Sequence, residues 1–345
     1  MPLRPVDVRH VSAALASAGN PYIDVEERNA YTHGMDIADV SCVYEDHYLL
    51  IMNKPAGLVI HPTYKHADGT MWDAVLAYLA TKNGDDWVPP TLPDDPEWAG
   101  APAAVQTMLR EKRLQRLWKE DGLLPRPCLV HRLDKDTSGV VALARTERSR
   151  RHLIKQFHDH TISKSYLAVI ARGADSWADP RAPFTITRRS STAGEQLVDG
   201  RCFYTATPED EFILDGPLDR DPDERRRCIV ISGGQEARTA VRVLGIEEPF
   251  ALLEVRPITG RTHQIRAHLA ASGNAIVGDQ MYAPSGHGAT ARYPLLRQFL
   301  HAHRLTLRRY PLNDPYTFTA PLPDDINNWL HDCCPILWHT VTNRG

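Results

Sequence analysis

Residues 128–144 run apolar, polar, apolar, and that pattern limits the chain more than any other stretch. Cys128 to Val130 and Val140 to Ala144 have the length and composition of strands rather than helices. Between them lies His131-Arg132-Leu133-Asp134-Lys135-Asp136-Thr137-Ser138-Gly139, a polar turn with one carboxylate next to a basic residue. Asp134 therefore stands at a strand end, where a rigid sheet holds it and a catalytic group is well placed.

Elsewhere the periodicity predicts short alternating elements. Tyr48 to Met52 reads as a buried strand ending at the Asn53-Lys54-Pro55 turn, and Met71 to Ala80 as a helix with Trp72, Val75, Leu76 and Leu79 on one face. Beyond Ala144 a helix follows, with Thr146 as its N-cap and Leu153, Ile154 and Phe157 as its apolar face. Tyr166 to Ile170 is strand, with Tyr166, Ala168 and Ile170 on one face. Residues 175–235 read as strand fragments with a variable loop around 190–211. Leu252 to Val255 leads through a turn into a helix from Thr262 to Ser272, closed by Gly273. On that helix His263 and Arg266 face one side, while Ile265 and Leu269 anchor it to the core.

Four spaced motifs carry a resemblance. Asn53-Lys54-Pro55-Ala56-Gly57-Leu58-Val59-Ile60-His61-Pro62 comes first, then the Asp134 turn, then Lys164-Ser165-Tyr166-Leu167-Ala168-Val169. The fourth is Thr259-Gly260-Arg261-Thr262-His263-Gln264-Ile265-Arg266-Ala267-His268, with Gly273 and Gly278-Asp279 behind it. In this order they resemble the pseudouridine synthases of the ribosomal large subunit type A family, and Leu300-His301-Ala302 and Ala320-Pro321-Leu322-Pro323 fit that family's tail. The resemblance implies an α+β fold: a mixed, largely antiparallel, bent central sheet flanked by helices, with a cleft across it. It makes Asp134 the catalytic residue, Tyr166 the active-site ring and Arg266 the partner of Asp134. Arg132, His131, Arg261, His263 and Gln264 are expected on the substrate-binding side, although His131 suits a hydrogen-bonding role better than a proton shuttle.

The implied organisation is an N-terminal arm over 1–40, a catalytic domain over 41–330 and a tail over 331–345. Residues 83–125 form an insertion whose first half is rich in Pro and acid. Its second half, Ala101 to Lys119, is predicted as an amphipathic helix that either grips RNA through Arg110, Lys112, Arg113 and Arg116 or is a packed surface helix. The arm is too short for a separate RNA-binding module.

Composition narrows the partners. A formal net charge of −3 argues against a protein that coats nucleic acid indiscriminately, since phosphate contacts need local positive charge. Local charge is present at Arg145, Arg148, Arg150, Arg151 and Lys155, and again at Arg225-Arg226-Arg227, a distribution that suits a one-sided RNA surface or a pair of solvated faces. No apolar run approaches the length of a membrane span and the start lacks the apolar core of a secretory signal, so a cytoplasmic protein is expected. Cys42, Cys128, Cys202, Cys228, Cys333 and Cys334 contain no C-x-x-C pair, which predicts reduced thiols and no metal site. The expected partner is structured RNA, ribosomal or transfer, bound by a monomer with no cofactor, no DNA and no membrane.

Isomerising uridine to pseudouridine breaks an N-glycosidic bond, turns the uracil and rejoins it through C5. A carboxylate can attack C1′ or take a proton from C2′, and Asp134 is the candidate for either role. Glycoside hydrolysis wants two carboxylates flanking the bond, and Asp136, the near neighbour, has a turn residue's position. The competing class is an RNA-binding or RNA-folding factor that keeps the synthase fold without essential catalysis.

Overall fold

The computed structural model describes residues 40–61, 68–81, 100–102, 105–106, 108–109, 121–171, 177–178, 182–189, 195–198, 201–283 and 295–343. The arm over 1–40 lies outside them except for Val40, and so does most of the insertion; residues 105, 106, 108 and 109 are helical, while Arg110, Lys112, Arg113 and Arg116 are not described.

The elements run β1 (Ser41–Glu45), β2 (Leu49–Lys54), α1 (Met71–Ala80), β3 (Leu123–Leu129), β4 (Ser138–Thr146), α2 (Glu147–His158), β5 (Ser163–Ile170), β6 (Trp177–Ala178), β7 (Thr185–Arg188), β8 (Glu195–Val198) and β9 (Arg201–Tyr204). They continue as β10 (Glu211–Asp215), β11 (Leu218–Arg220), β12 (Cys228–Val230), β13 (Arg238–Glu247), β14 (Phe250–Pro257), α3 (Gln264–Ala271), β15 (Leu300–Arg308), β16 (Pro315–Thr319), α4 (Asp324–Cys333) and α5 (Pro335–Thr342). The class is α+β with a mostly antiparallel sheet. The span expected as one catalytic domain divides into two compact units, Met1–Ile162 with Thr306–Thr319, and Ser163–Leu305 with Ala320–Gly345.

In the first unit β2 pairs antiparallel with β1 and with β4, setting Lys54 opposite Gly139. β4 is apolar and buried from Val140 to Ala144, so it reads as a continuous hydrophobic run rather than an alternating one. β3 begins at Leu123, inside the stretch read as insertion, and stops at Leu129; its Pro125 and Pro127 coincide with a break in its register against β4. On α1 the buried positions are Met71, Ala74, Val75 and Ala77, not the expected Trp72, Leu76 and Leu79. Trp72 instead lies 6.0 Å from the His61 ring, and Tyr78 donates to Glu45. Helix α2 starts as expected at Thr146, whose hydroxyl accepts from Ser149 N, and Leu153 is buried; Ile154, expected in the apolar face, is exposed.

In the second unit β14 lies between β5 and β13, and β13 pairs onward with β10, which pairs with β7, all antiparallel. The variable loop around 190–211 contains β8 and β9, which make a small separate sheet with β6. Within the stretch 331–345 expected as a tail, Leu337 and Cys334 are buried in the main hydrophobic core, and Glu247 accepts the Ile336 and Leu337 amides at the start of α5. Capping of those amides by a carboxylate suits a helix N-terminus.

Candidate active site

The Asp134 turn is fixed from below by Lys54. This side chain is fully buried, and its ammonium donates to the carbonyls of Pro55 (2.8 Å), Leu58 (2.7 Å) and Lys135 (2.7 Å). A buried charge is tolerated only when its hydrogen bonds are met, and three carbonyls match the three donors of an ammonium. The first motif thus clamps the second at the residue after Asp134. Leu133 and Thr137 are buried on either side, and Thr137 N donates to Asp134 O at 3.2 Å. Asp134 itself is half-buried and Arg132 is exposed, with no partner for the Arg132 guanidinium among the described residues.

His131 makes the kind of hydrogen bond expected of it. Its Nε2 accepts from Ala142 N at 2.9 Å, and its ring stacks on Phe157 at 5.0 Å. Accepting at Nε2 puts the proton of the neutral ring on Nδ1. The residue ties the entry of the turn to β4 and α2.

In the second unit Tyr166 lies on β5 opposite Val255 of β14, half-buried against the core. Lys164 shares its face by strand alternation. Burial pushes the Lys164 ammonium below the usual lysine range, and its Nζ lies 3.7 Å from where a Cβ at Gly260 would be. The Lys164-Ser165-Tyr166 segment and the Gly260 turn are therefore neighbours.

Helix α3 begins at His263, which takes a left-handed conformation (φ 52°) at the N-cap. Gln264, expected to bind substrate, is buried. Its Oε1 accepts from Thr259 Oγ1 (2.6 Å) and Arg261 N (3.0 Å), and its Nε2 donates to Arg238 O (2.9 Å) and Thr239 Oγ1 (3.0 Å). Those four bonds exhaust the amide, so Gln264 shapes the turn and has nothing left for a base. Arg261 is exposed, with Nε donating to Glu236 O at 3.1 Å, and half-buried His263 places Nδ1 3.3 Å from the Tyr282 hydroxyl. His268 joins Thr239 Oγ1 and Gly216 O, each at 2.9 Å, and burial pushes its pKa down.

Arg266 is buried and gives its Nε and Nη2 to the two oxygens of Asp279, at 2.7 and 2.9 Å. Its guanidinium carbon also lies 5.1 Å from the centre of the Tyr282 ring. Asp279 and Tyr282 were absent from the residues expected at the site. The Gly278-Asp279 pair behind the fourth motif was the available signal for the first; Tyr282 had none beyond its place three residues on.

The basic clusters are less available than their sequence suggests. Glu147 takes both Arg150 and Arg151, which hold its carboxyl down at about 2; Lys155 pairs with Asp159, and Arg145 with Glu45 at 2.9 Å. Arg226 pairs with Glu224 and Arg227 with Asp221. Exposed pairs of this kind are worth little, whereas Arg145 is largely buried and committed. Among the described residues no cluster of His, Cys, Asp or Glu has the arrangement of a metal site, Cys42, Cys128, Cys228, Cys333 and Cys334 are not in disulfides, and no helix is long and apolar enough to cross a membrane.

Comparison with known proteins supplies the class. The profile described as RNA pseudouridylate synthase matches residues 48–271, and the chain belongs to that family, in its ribosomal large subunit type A branch. It is 29% identical over 306 residues to ribosomal large subunit pseudouridine synthase D of Nitrosomonas europaea, covering 87% of this chain and 67% of that one. An uncharacterized RNA pseudouridine synthase of Chloroflexus aurantiacus is 34% identical over 274 residues, covering 79% of this chain and 63% of the relative. The synthase D of Xanthomonas campestris is 32% identical over 295 residues, with 83% and 67% covered. The chain thus spans about two thirds of the length of these relatives.

Proposed function

We propose that this chain converts specific uridines of structured RNA to pseudouridine, ribosomal RNA before transfer RNA, as a cytoplasmic monomer that needs no metal or cofactor. The observation that carries the reading is the half-buried Asp134 carboxylate on a turn clamped by Lys54. Such a group is held still yet open to a ligand. In this reading Asp134 acts at the ribose, attacking C1′ or taking the C2′ proton, and Arg266 holds it ionised and oriented by a charge-assisted contact. Tyr166 forms the wall on which the extruded uracil stacks, since a base inside a helix must be flipped before its glycosidic bond can be reached. Arg132, exposed beside Asp134, contacts a phosphate or fills the gap left by the flipped nucleotide; Arg261 and His263 line the RNA side of the Gly260 turn.

Product analysis tests the reading. Ribosomal and transfer RNA from cells lacking the gene, incubated with the purified protein and digested to nucleosides, should gain pseudouridine in step with the loss of uridine at unchanged RNA mass. Stoichiometric free uracil would mean glycosylase chemistry, and unchanged RNA a binding factor. The names of the relatives favour ribosomal RNA as the class that reacts.

The insertion carries a separate expectation. If the predicted helix over 101–119 grips the RNA backbone, changing Arg110, Arg113 and Arg116 together to Ala should weaken binding. The slope of log K against log salt should become shallower by about 0.7–0.9 for each phosphate no longer neutralised. Turnover at saturating RNA should hold. Binding titrations at several salt concentrations check this; an unchanged slope would leave the segment as a solvated helix.

A further inference from the structure

We infer that the Tyr316 ring is a stacking platform for an unpaired base of the substrate RNA; this rests on the reading of the chain as an enzyme of structured RNA. Tyr316 and Phe318 lie two apart on β16 and so share a face, yet Phe318 is buried and Tyr316 is 42% exposed. A single exposed ring is ordinary. Tyr316 differs in how firmly it is held. Its ring centre lies 4.8 Å from that of Phe318 and 5.9 Å from that of Tyr44, and the Arg309 guanidinium carbon sits 4.5 Å from its centre. The guanidinium is fixed in turn: Nε donates to Asp314 Oδ1 at 3.3 Å, Nη2 to Asp314 Oδ2, and Nη1 to the Tyr44 hydroxyl at 3.2 Å. That hydroxyl donates to buried Asp46 at 2.7 Å, and Asp46 accepts the Tyr48 and Leu49 amides, each at 2.7 Å. A run of contacts thus leads from the start of β2 to a ring at the surface.

The chemistry behind the ring narrows what it can take. Asp314 meets the charge of Arg309, so the pair offers a phosphate no uncompensated cation. A ring with a guanidinium already against it is a poor host for a second cation, because both would draw on the same quadrupole, and this disfavours a lysine or arginine of a protein partner. A flat neutral group still stacks well on such a ring, and every base has a π-face. Structured RNA displays bases of this kind in loops and bulges, where aromatic side chains stack them. The platform also belongs to the compact unit that carries the Asp134 turn. Tyr44 stands opposite Ile51 on β2, and Ile51 opposite Ala142 on β4, the strand that leaves the turn. Two strand spacings amount to about 10 Å, so the base taken up belongs to the RNA whose uridine meets Asp134.

The test is binding of ribosomal RNA from cells lacking the gene to the full chain, titrated at several salt concentrations, with a fully paired RNA duplex as control and melting curves alongside. Tyr316→Leu keeps apolar bulk and loses the π-face; it should weaken binding of the ribosomal RNA roughly 5- to 100-fold and that of the duplex by no more than about twofold. Tyr316→Phe drops only the hydroxyl and should bind like the wild type, while Tyr316→Trp, with a larger π-face, should bind at least as tightly. Because no phosphate contact is lost, the slope of log K against log salt should move by less than the roughly 0.7 that one such contact contributes. Turnover at saturating RNA and the melting temperature should hold, since the ring is largely exposed. Unchanged affinity in Tyr316→Leu, with the wild type isomerising uridine, would overturn the inference and leave the proposed function standing. Equal losses in Tyr316→Phe would assign the contact to the hydroxyl, a shallower salt slope would assign it to a phosphate, and an equal loss on the duplex would remove the unpaired base; each overturns the platform. A wild-type protein that neither binds nor modifies RNA would remove the proposed function first.

Discussion

Asp134→Asn should abolish isomerisation, lowering turnover by at least roughly 10³-fold while RNA affinity stays within a few-fold. Asn keeps the size of the side chain and removes its charge and basicity, the two properties the chemistry uses. The fold should tolerate the change. The turn is held through the Lys135 carbonyl, the Asp134 carbonyl and the buried Leu133 and Thr137, none of which is altered. Single-turnover assays with saturating enzyme, together with binding and melting curves, separate these effects. Turnover near the wild-type rate would remove Asp134 from the mechanism, and an equal loss of binding would recast it as a recognition residue.

Gly278→Ala should be the most damaging single methyl group in the second unit. Gly278 has φ +76°, and a Cβ built on it would lie 2.0 Å from the carbonyl oxygen of Arg297. That oxygen belongs to backbone and cannot turn aside, unlike the far end of a flexible side chain. Left-handed strain and overpacking together are expected to cost about 3 kcal/mol, or roughly 6–12 °C in melting temperature for a unit of this size. Activity should fall as well, because the next residue is Asp279. Gly233→Ala is the matched control: φ is +83° but nothing lies within 4 Å of the added Cβ, so only the strain of about 1 kcal/mol applies. Equal melting temperatures for the two variants would mean that the chain relaxes around Gly278 and that its close approach is not a constraint.

Much of the local structure was legible in the chain. The apolar runs before and after the Asp134 turn are strands, Thr146 caps α2, Tyr166 lies on β5, and the segment after Gly260 becomes a helix anchored by Ile265 and Leu269. Each depends on neighbours a few residues away, through strand alternation, helix spacing or a capping hydroxyl, and such relations are written in the sequence itself. The family was legible for a related reason: four motifs in a fixed order report shared ancestry whether or not their contacts are known.

The boundaries and faces that failed are those set by packing. Helix α1 turned Met71, Ala74, Val75 and Ala77 inward, β3 reached back into the presumed insertion, and Cys334 and Leu337 of the supposed tail became part of the core. Periodicity marks a helix; which stripe is buried depends on what comes to meet it. Side-chain roles divided in the same way. Gln264 gives its amide nitrogen to the Arg238 carbonyl and the Thr239 hydroxyl, and His131 accepts at Nε2 from Ala142 N, partners that the local sequence does not name.

Sequence alone determined which residue types stand at the candidate site and what chemistry they can perform. Tertiary structure decided which of them are committed: Lys54 to the Lys135 carbonyl, 81 positions along the chain, and Arg266 to Asp279, 13 positions along. A hydrogen bond needs two atoms within about 3 Å, and only the folded chain brings residues so far apart in sequence to that distance.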